Sequence, residues 1–478
     1  MRWRDAFAPV RMDRVAVVAP RDQLRPVLVA LADAGLVQLE RIGGSAPSPA
    51  TEALERARQR IGAPARSDAT SGTPLLAPEP PDLVLLERTG RLGELAGEAE
   101  LEQVGAAARR RDAVAALVGW CPRAAVGSLA GRLMPLGGAV VLLPVPRGGM
   151  PPTLVEAGGA TGAFQPLVDT YATVPYKDVN PAALAGLAYV VMFGMMFGDV
   201  GHGALLLIGG LLLAAGRPSA LARFRHLAPF VIGAGLASML FGLAFGEAFG
   251  PTRLVPTLWL TPLDHPTTLL AVAVAAGGGL LAVSYGLGTV NRWREGGPAR
   301  ALLATSGLAG AALYLGLAVV ALGWYEHAAV VAVVGGLMAA AGLGLGFVGC
   351  YVEAGGGAGV VVQAGVEMFD VVVRIGTNTV SFARLAAFGL THAALSGIVW
   401  SGTTGLWHRG PALWLAAAVL FVVGNVVAFS LEGLVAGVQA LRLEYYELFS
   451  RIFVDEGTQF RPWHIPTRSS KETPCSPG

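Results

Sequence analysis

The sequence predicts a membrane all-α C-terminal domain of about eight transmembrane helices, the last two long and tilted. It is preceded by an N-terminal cytoplasmic α/β domain with a short helical stalk. Three observations carry this reading. Of 478 residues, 53% are hydrophobic and only 14% charged, whereas a soluble globular domain is about a quarter charged. Residues 1–115 are rich in Arg, Asp and Glu, while 182–450 are largely Ala, Gly, Leu and Val. The apolar stretches also come in lengths near the roughly 20 residues that cross a hydrocarbon core. The expected domains are 1–180, cytoplasmic; 181–455, transmembrane; and 456–478, a cytoplasmic C-terminal tail.

In the first domain, 14–19 (RVAVVA) has strand character, 22–35 helix character, and 37–41 (VQLER) strand character again. A Gly/Ser/Pro-rich linker follows. TEALERARQRI and then residues 85–114, with Leu spacings of three and four, predict one or two long charged helices. VAALVGWCP, a short helix near 124–133 and the strand-like AVVLLPVP complete the domain. The opening residues lack the apolar core of a signal peptide, so this domain is expected to stay in the cytoplasm. Net charge is +2 with no basic run, so no nucleic-acid partner is expected. Cys121, Cys350 and Cys475 are too scattered for a disulfide framework or a metal motif. No cofactor or metal is expected.

Spans are expected near 227–249, 267–288, 301–322 and 327–350, with longer ones over 362–406 and 411–450. Residues 182–216 as one helix would run about 52 Å, far too long. Three glycines and an Asp at 198–203 (GDVGHG) supply reversal chemistry instead, giving two short spans. With that reversal and a cytoplasmic N-terminus, the loops holding Arg217, Arg223 and Arg225, and Arg292, Arg294 and Arg300, both lie inside. The tail from Arg451 lies there too, and only Arg253 and Arg409 lie outside. This positive-inside pattern sets eight spans with both ends cytoplasmic.

Ionisable residues within apolar spans are functional candidates because they are costly there. Around Arg384 lie Asp370, Thr377, Ser381 and His392. On one continuous helix the first three fall within about 60° of the Arg azimuth and His392 about 80° away. That stripe is about 33 Å long. On the last span Asn425, Glu432 and Gln439 recur every seven residues, followed by Arg442. The bland alternative is that Arg384 pairs with Glu432 and the hydroxyls bond backbone carbonyls, as helix glue. Asp199 and His202 are explained equally by a capped turn, and Glu247 by an interfacial position or a polar cavity.

MFGMMFGDVGHG (192–203), TNTVSFARLAAFGLTHAALS (377–396) and SLEGLVAGVQALRLEYYELFSRIF (430–453) resemble the signatures of subunit a, or subunit I in prokaryotes, of V-type and A-type rotary ATPases. YATVPYKDVNP (171–181), VGWCP (118–122) and the opening residues 11–40 add to the resemblance, which covers nearly the whole chain. It implies a stator subunit that forms, with a proteolipid ring, a proton or sodium path coupled to ATP hydrolysis or synthesis. It also implies peripheral stalk and central stalk subunits, a catalytic ATPase head and membrane lipid as partners, in a bacterial or archaeal plasma membrane. Arg384 matches the stator arginine. His392, Glu432 and Arg442 match positions near the ring contact and the external half-channel, and Asp370 one associated with the cytoplasmic half-channel. Two departures stand out: Gln439 where eukaryotic members often have His, and a soluble domain of only about 180 residues with most of the helical stalk missing. No GxxxxGK[ST] occurs, so the chain is not expected to be an enzyme on its own. The competing expectation is a stand-alone secondary transporter or ion channel with a cytoplasmic regulatory domain, although no inverted repeat is visible.

Overall fold

The computed structural model describes residues 9–40, 48–61, 74–77, 79–146, 148–155, 159–217, 219–452 and 457–467. Most of the Gly/Ser/Pro-rich linker and Cys475 lie outside these residues. Contacts divide the chain into an α/β unit, residues 9–155 with the segment from 458 onward, and a membrane unit, 156–457.

The α/β unit runs β1 (Met12–Pro20), α1 (Leu24–Ala34), β2 (Gln38–Leu39), α2 (Pro49–Ile61), α3 (Leu83–Thr89), α4 (Leu92–Ala107), β3 (Arg109–Arg111), β4 (Val114–Pro122), α5 (Val126–Leu133), β5 (Ala139–Leu143). The sheet order is β2-β4-β1-β5, with β3 hairpinned onto β4. Two interleaved strand–helix–strand halves give the split arrangement of ferredoxin-like sheets, and α2–α4 form the helical excursion between them. The helix expected to run on to residue 114 stops at Ala107. Asp112 adopts a left-handed φ of 49°, so Arg109–Arg111 turn back as a strand against Val114–Ala116. Residues 458–467 belong to this unit. Trp463 and Ile465 enter its core with Val37 and Leu117, the Trp463 indole donates to Glu100 at 2.9 Å, and Thr467 pairs with Leu76 as a bridge. In this unit the Arg14 guanidinium holds the Glu40 carboxyl below its usual range, and burial pushes the Cys121 thiol up to about 11.

The membrane unit contains α6 (Gly159–Tyr171), α7 (Ala182–Met196), α8 (Val200–Ala214), α9 (Ala228–Phe245), α10 (Pro266–Leu303), α11 (Leu308–Tyr325), α12 (Ala329–Glu353), α13 (Ala358–Ser381), α14 (Ala383–Trp407), α15 (Trp414–Leu443) and, after a π-helical turn at Glu444–Phe449, α16 (Ser450–Ile452). Among the described residues six helices are long and apolar enough to cross a membrane, and α7 and α8 are shorter apolar helices. The chain is therefore a multi-pass membrane protein. Its direction reverses between α7 and α8. Val190 and Gly194 of α7 pack on Gly233 and Ala237 of α9, so those two run parallel. Along α8, Gly203, Leu207 and Gly210 meet Met239, Gly235 and Ile232 in the opposite sense.

Two elements depart from the spans read in the sequence. The helix α10 extends to Leu303, bent at Gly297 where φ is 78°, and carries Arg292 buried at 2% exposure. The helix expected to continue through Arg384 is interrupted at Phe382. That ring is fully buried against Gly277 of α10, where a Cβ would lie 2.0 Å from the Phe Cγ. Such close approach is available only to glycine.

Candidate functional site

The hairpin of α14 and α15 positions most of the singled-out residues. Trp407 stacks on Trp414 with centroids 5.0 Å apart, Leu420 lies against Gly402 and Val399 against Gly424, and His392 bonds Glu432 through Nδ1. The paired residue numbers sum to nearly the same value throughout, so the helices are antiparallel in fixed register. Continued, that register sets Arg384 level with Gln439.

Arg384 does not pair with Glu432. Its Nη2 donates to Ser381 Oγ at 3.1 Å, Nη1 is buried without a hydrogen-bond partner, and it makes none of the ion pairs among the described residues. Glu432 is taken by His392, which is 2% exposed. Asn425 turns inward, its Nδ2 donating to Phe421 O at 2.8 Å. Gln439 is half-buried, and Arg442 is exposed.

Asp370 and Thr377 are exposed, and Asp370 pairs with Arg374 one turn on. Asp370 lines a polar cavity of about 430 Å³ shared with Arg292, Arg300, Glu353, Glu367 and Arg451. Sequence reading missed several polar groups here. Glu447 is 6% exposed and electrostatically coupled to Arg384, Arg442 and Arg451. Arg451 is equally buried, its guanidinium 5.5 Å from the Tyr285 ring. Glu444 is fully buried. The acids three apart in LEYYELF, just beyond Gln439 and Arg442, were the available signal. The π-helical turn that directs them inward was not.

A second cluster forms where the chain reverses. Asp199 caps α8, accepting from His202 N at 2.8 Å and from Gly250 N at 3.0 Å. His202 is completely buried, stacked on Phe197 and edge-on to His392, with ring centroids 5.6 Å apart in each case. Thus the capped turn also brings Asp199 and His202 to the His392–Glu432 pair. Glu247 is 6% exposed, and its carbonyl accepts from Val200 N at 2.9 Å.

Comparison with known proteins gives a consistent picture. Residues 108–249 match the V-type ATPase 116kDa subunit family. The chain is 27% identical over 382 residues to the A-type ATP synthase subunit I of Thermococcus kodakarensis, covering 74% of this chain and 55% of the relative. It is 26% identical to the subunit of the same name from Halobacterium salinarum, covering 66% of this chain and 51% of that one. A stretch of 128 residues is 35% identical to the human V-type proton ATPase 116 kDa subunit a 3, covering 24% of this chain and 15% of the human one. The chain spans about half the length of the archaeal relatives it matches.

Proposed function

We propose, from the match of residues 108–249 and the similarity to archaeal A-type ATP synthase subunits I, that the chain belongs to the V-type ATPase 116kDa subunit family and is the stator subunit in the membrane sector of a V/A-type rotary ATPase. In this reading it crosses a bacterial or archaeal plasma membrane eight times, with both ends cytoplasmic. With a proteolipid ring it forms the proton or sodium path, and ion flow is coupled to ATP hydrolysis or synthesis in a partner head reached through central and peripheral stalks. It carries no catalytic site of its own.

The observation that carries the reading is Arg384, which forms no ion pair among the described residues and has one guanidinium nitrogen buried without a hydrogen-bond partner, on a helix pair that exposes apolar surface. Val419, Val423, Val426, Leu431, Leu434 and Val438 form a stripe along α15, each more than half exposed, as a face rolled over by another helix would be. A ring carboxyl in lipid is favoured neutral, and an adjacent cation lowers its pKa by about 1–3 units. Arg384 therefore makes each passing carboxyl release its proton, and guanidinium stays charged throughout. Polar groups on both sides of Arg384 suit two offset half-paths. The Asp370 cavity lies on α13, fourteen residues before Arg384 and across the break at Phe382, and His392 lies about 12 Å further along α14.

Ion pumping by the reconstituted complex tests this. Arg384→Ala should assemble and pump nothing, and adding Glu432→Gln should not rescue it, because Glu432 is engaged by His392. Pumping by the single mutant, or rescue by the double, overturns the stator reading. The span count has a separate test. A cysteine placed in 219–225 should react from the cytoplasmic side, and external labelling removes the eight-span topology.

A further inference from the structure

The buried cluster at the start of α8 joins His392, which the proposed ion path uses, to Asp199 and His202, which it does not use. Asp199, His202 and His392 each offer a ligand atom, and these atoms lie within 4.8 Å of one another. All three residues are at least 98% buried. Asp199 is fixed by two backbone N–H groups, so its carboxylate is held in place. His392 Nδ1 is engaged by the Glu432 carboxylate, which leaves Nε2 as its free coordinating atom. That Nε2, both ring nitrogens of His202 and Glu432 Oε1 are buried without a partner at hydrogen-bond geometry, although Asn425 couples to the His202 ring. Phe197, Phe249 and Phe429 wall the two imidazoles.

We propose that this cluster binds one divalent transition-metal ion of the Zn2+ class, with Asp199, His202 and His392 as ligands. Glu432 stands behind His392, the carboxylate–histidine–metal arrangement that fixes a ligand's tautomer and orientation. Two imidazoles and one carboxylate suit Zn2+ or Co2+, whereas Ca2+ takes six to eight oxygens and Mg2+ near-ideal octahedral oxygen geometry. The two carboxylates, Asp199 and Glu432, match the ion's double charge, the condition for burying charge at low cost. Metal–ligand bonds of about 2.0–2.1 Å put tetrahedral ligands about 3.4 Å apart. The side chains must then draw together by rotation to bring His392 Nε2, His202 and Asp199 to that spacing. Water or Glu432 Oε1 completes the fourth position. Motif spacing offers no hint of this site, because Asp199 and His202 lie three residues apart but His392 follows 190 residues later.

Binding requires no ring, so it is measured on the untagged full chain in lipid nanodiscs, using Co2+ as the probe. One Co2+ per chain should bind with the intense visible absorption of four-coordinate cobalt and be displaced by Zn2+. Zn2+ should also raise the thermal midpoint of the wild type. His202→Gln and His392→Gln should each weaken Co2+ binding at least about tenfold, as should Glu432→Gln acting through His392. Cys121→Ser should leave it unchanged. Absence of stoichiometric binding to the wild type, a weak octahedral cobalt spectrum, or undiminished binding in both histidine variants overturns the site. In the reconstituted complex, Zn2+ should inhibit ion transport over the concentration range in which it displaces Co2+. Because the binding result stands apart from transport, pumping by Arg384→Ala would remove the stator reading and leave the metal site intact.

Discussion

The hairpin of α11 and α12 and the hairpin of α14 and α15 are both antiparallel pairs of apolar helices, yet they are held by different means. In the first, glycines bring backbone onto backbone. A Cβ at Gly316 would lie 2.4 Å from Ala339 N, one at Gly323 2.5 Å from Ala332 N, and one at Gly342 2.4 Å from Leu313 N. No Asp, Glu, Lys, Arg or His interrupts that seam, the only such residue on either helix being Glu353 at its end. In the second, Gly402 and Gly424 face only side-chain atoms, and the seam carries His392 and Glu432 with Arg384 beyond them. This chain therefore holds membrane helices together by close packing of small residues alone, as membrane interfaces commonly do. Ions are thus not a general requirement for helix pairing in this chain, and under the proposed function those of α14 and α15 serve transport.

The sharpest break of this comparison is chemical. Arg384→Lys keeps the charge type and should still stop pumping. A desolvated ammonium can lose its proton, and it offers a point charge rather than a planar fork. Pumping near the wild-type rate would mean that any cation at this level suffices. Next in size is Glu432→Gln, which removes one charge-assisted hydrogen bond to His392. At about 1.5–3 kcal/mol that corresponds to roughly ten- to hundredfold slower transport, with some retained. Complete loss, equal to that of Arg384→Ala, would place Glu432 on a par with the arginine.

Much of this contrast was legible in the sequence. Length and hydropathy located the long helices, and the GDVGHG run located the reversal, because glycine and a capping Asp act locally. The α/β character of the first unit followed from strand–helix alternation on either side of a charged stalk, whereas the order of its strands did not. Arg384, His392 and Glu432 stood out because an ionisable residue in an apolar run has no local explanation. Three features were not legible, each because it depends on a residue far away in the chain. The Phe382 ring, at the junction of α13 and α14, packs where Gly277 of α10 leaves room. His202 joins His392 only once α7 and α8 diverge around α9. The segment 458–467 reads as a polar tail, yet Trp463 and Ile465 fill space beside β2 and α1 that no earlier residue occupies. The pairing partner of Glu432 was also beyond reach, since periodicity gives a face but not a register between helices.

The packing half of the comparison breaks at Gly342. An alanine in mid-helix gains about 1 kcal/mol over glycine from propensity. At Gly342, however, its Cβ meets Leu313 N at 2.4 Å, Ala309 O at 2.7 Å and Leu313 Cα at 2.9 Å, all backbone. The helices must separate, and overpacking of this kind costs about 1–3 kcal/mol or more. Because all three contacts are backbone the cost lies toward the upper end, so Gly342→Ala should lower stability by about 2 kcal/mol net, read as an earlier midpoint in detergent-induced unfolding. An unchanged midpoint would mean that the α11–α12 seam tolerates spacing and is not what holds the pair.

The smallest effect is the matching substitution in the other hairpin. At Gly424 an added Cβ would meet Val399 Cγ1 at 2.7 Å and Cγ2 at 2.9 Å. These are side-chain methyls at the rim of a loosely covered helix, and they can turn away. Val399 is β-branched and stiff, so moving it off its preferred rotamer costs about 0.5–1.5 kcal/mol. That nearly cancels the helix-propensity gain of about 1 kcal/mol. Gly424→Ala should therefore change unfolding stability by less than about 0.5 kcal/mol and leave pumping intact, since the position lies about two turns of α15 from Glu432. The informative quantity is the difference between the two alanine variants measured in one detergent. If Gly424→Ala destabilised the protein as much as Gly342→Ala, both hairpins would depend on backbone contact. The case that the ions of α14 and α15 are free for transport would then lose its structural support.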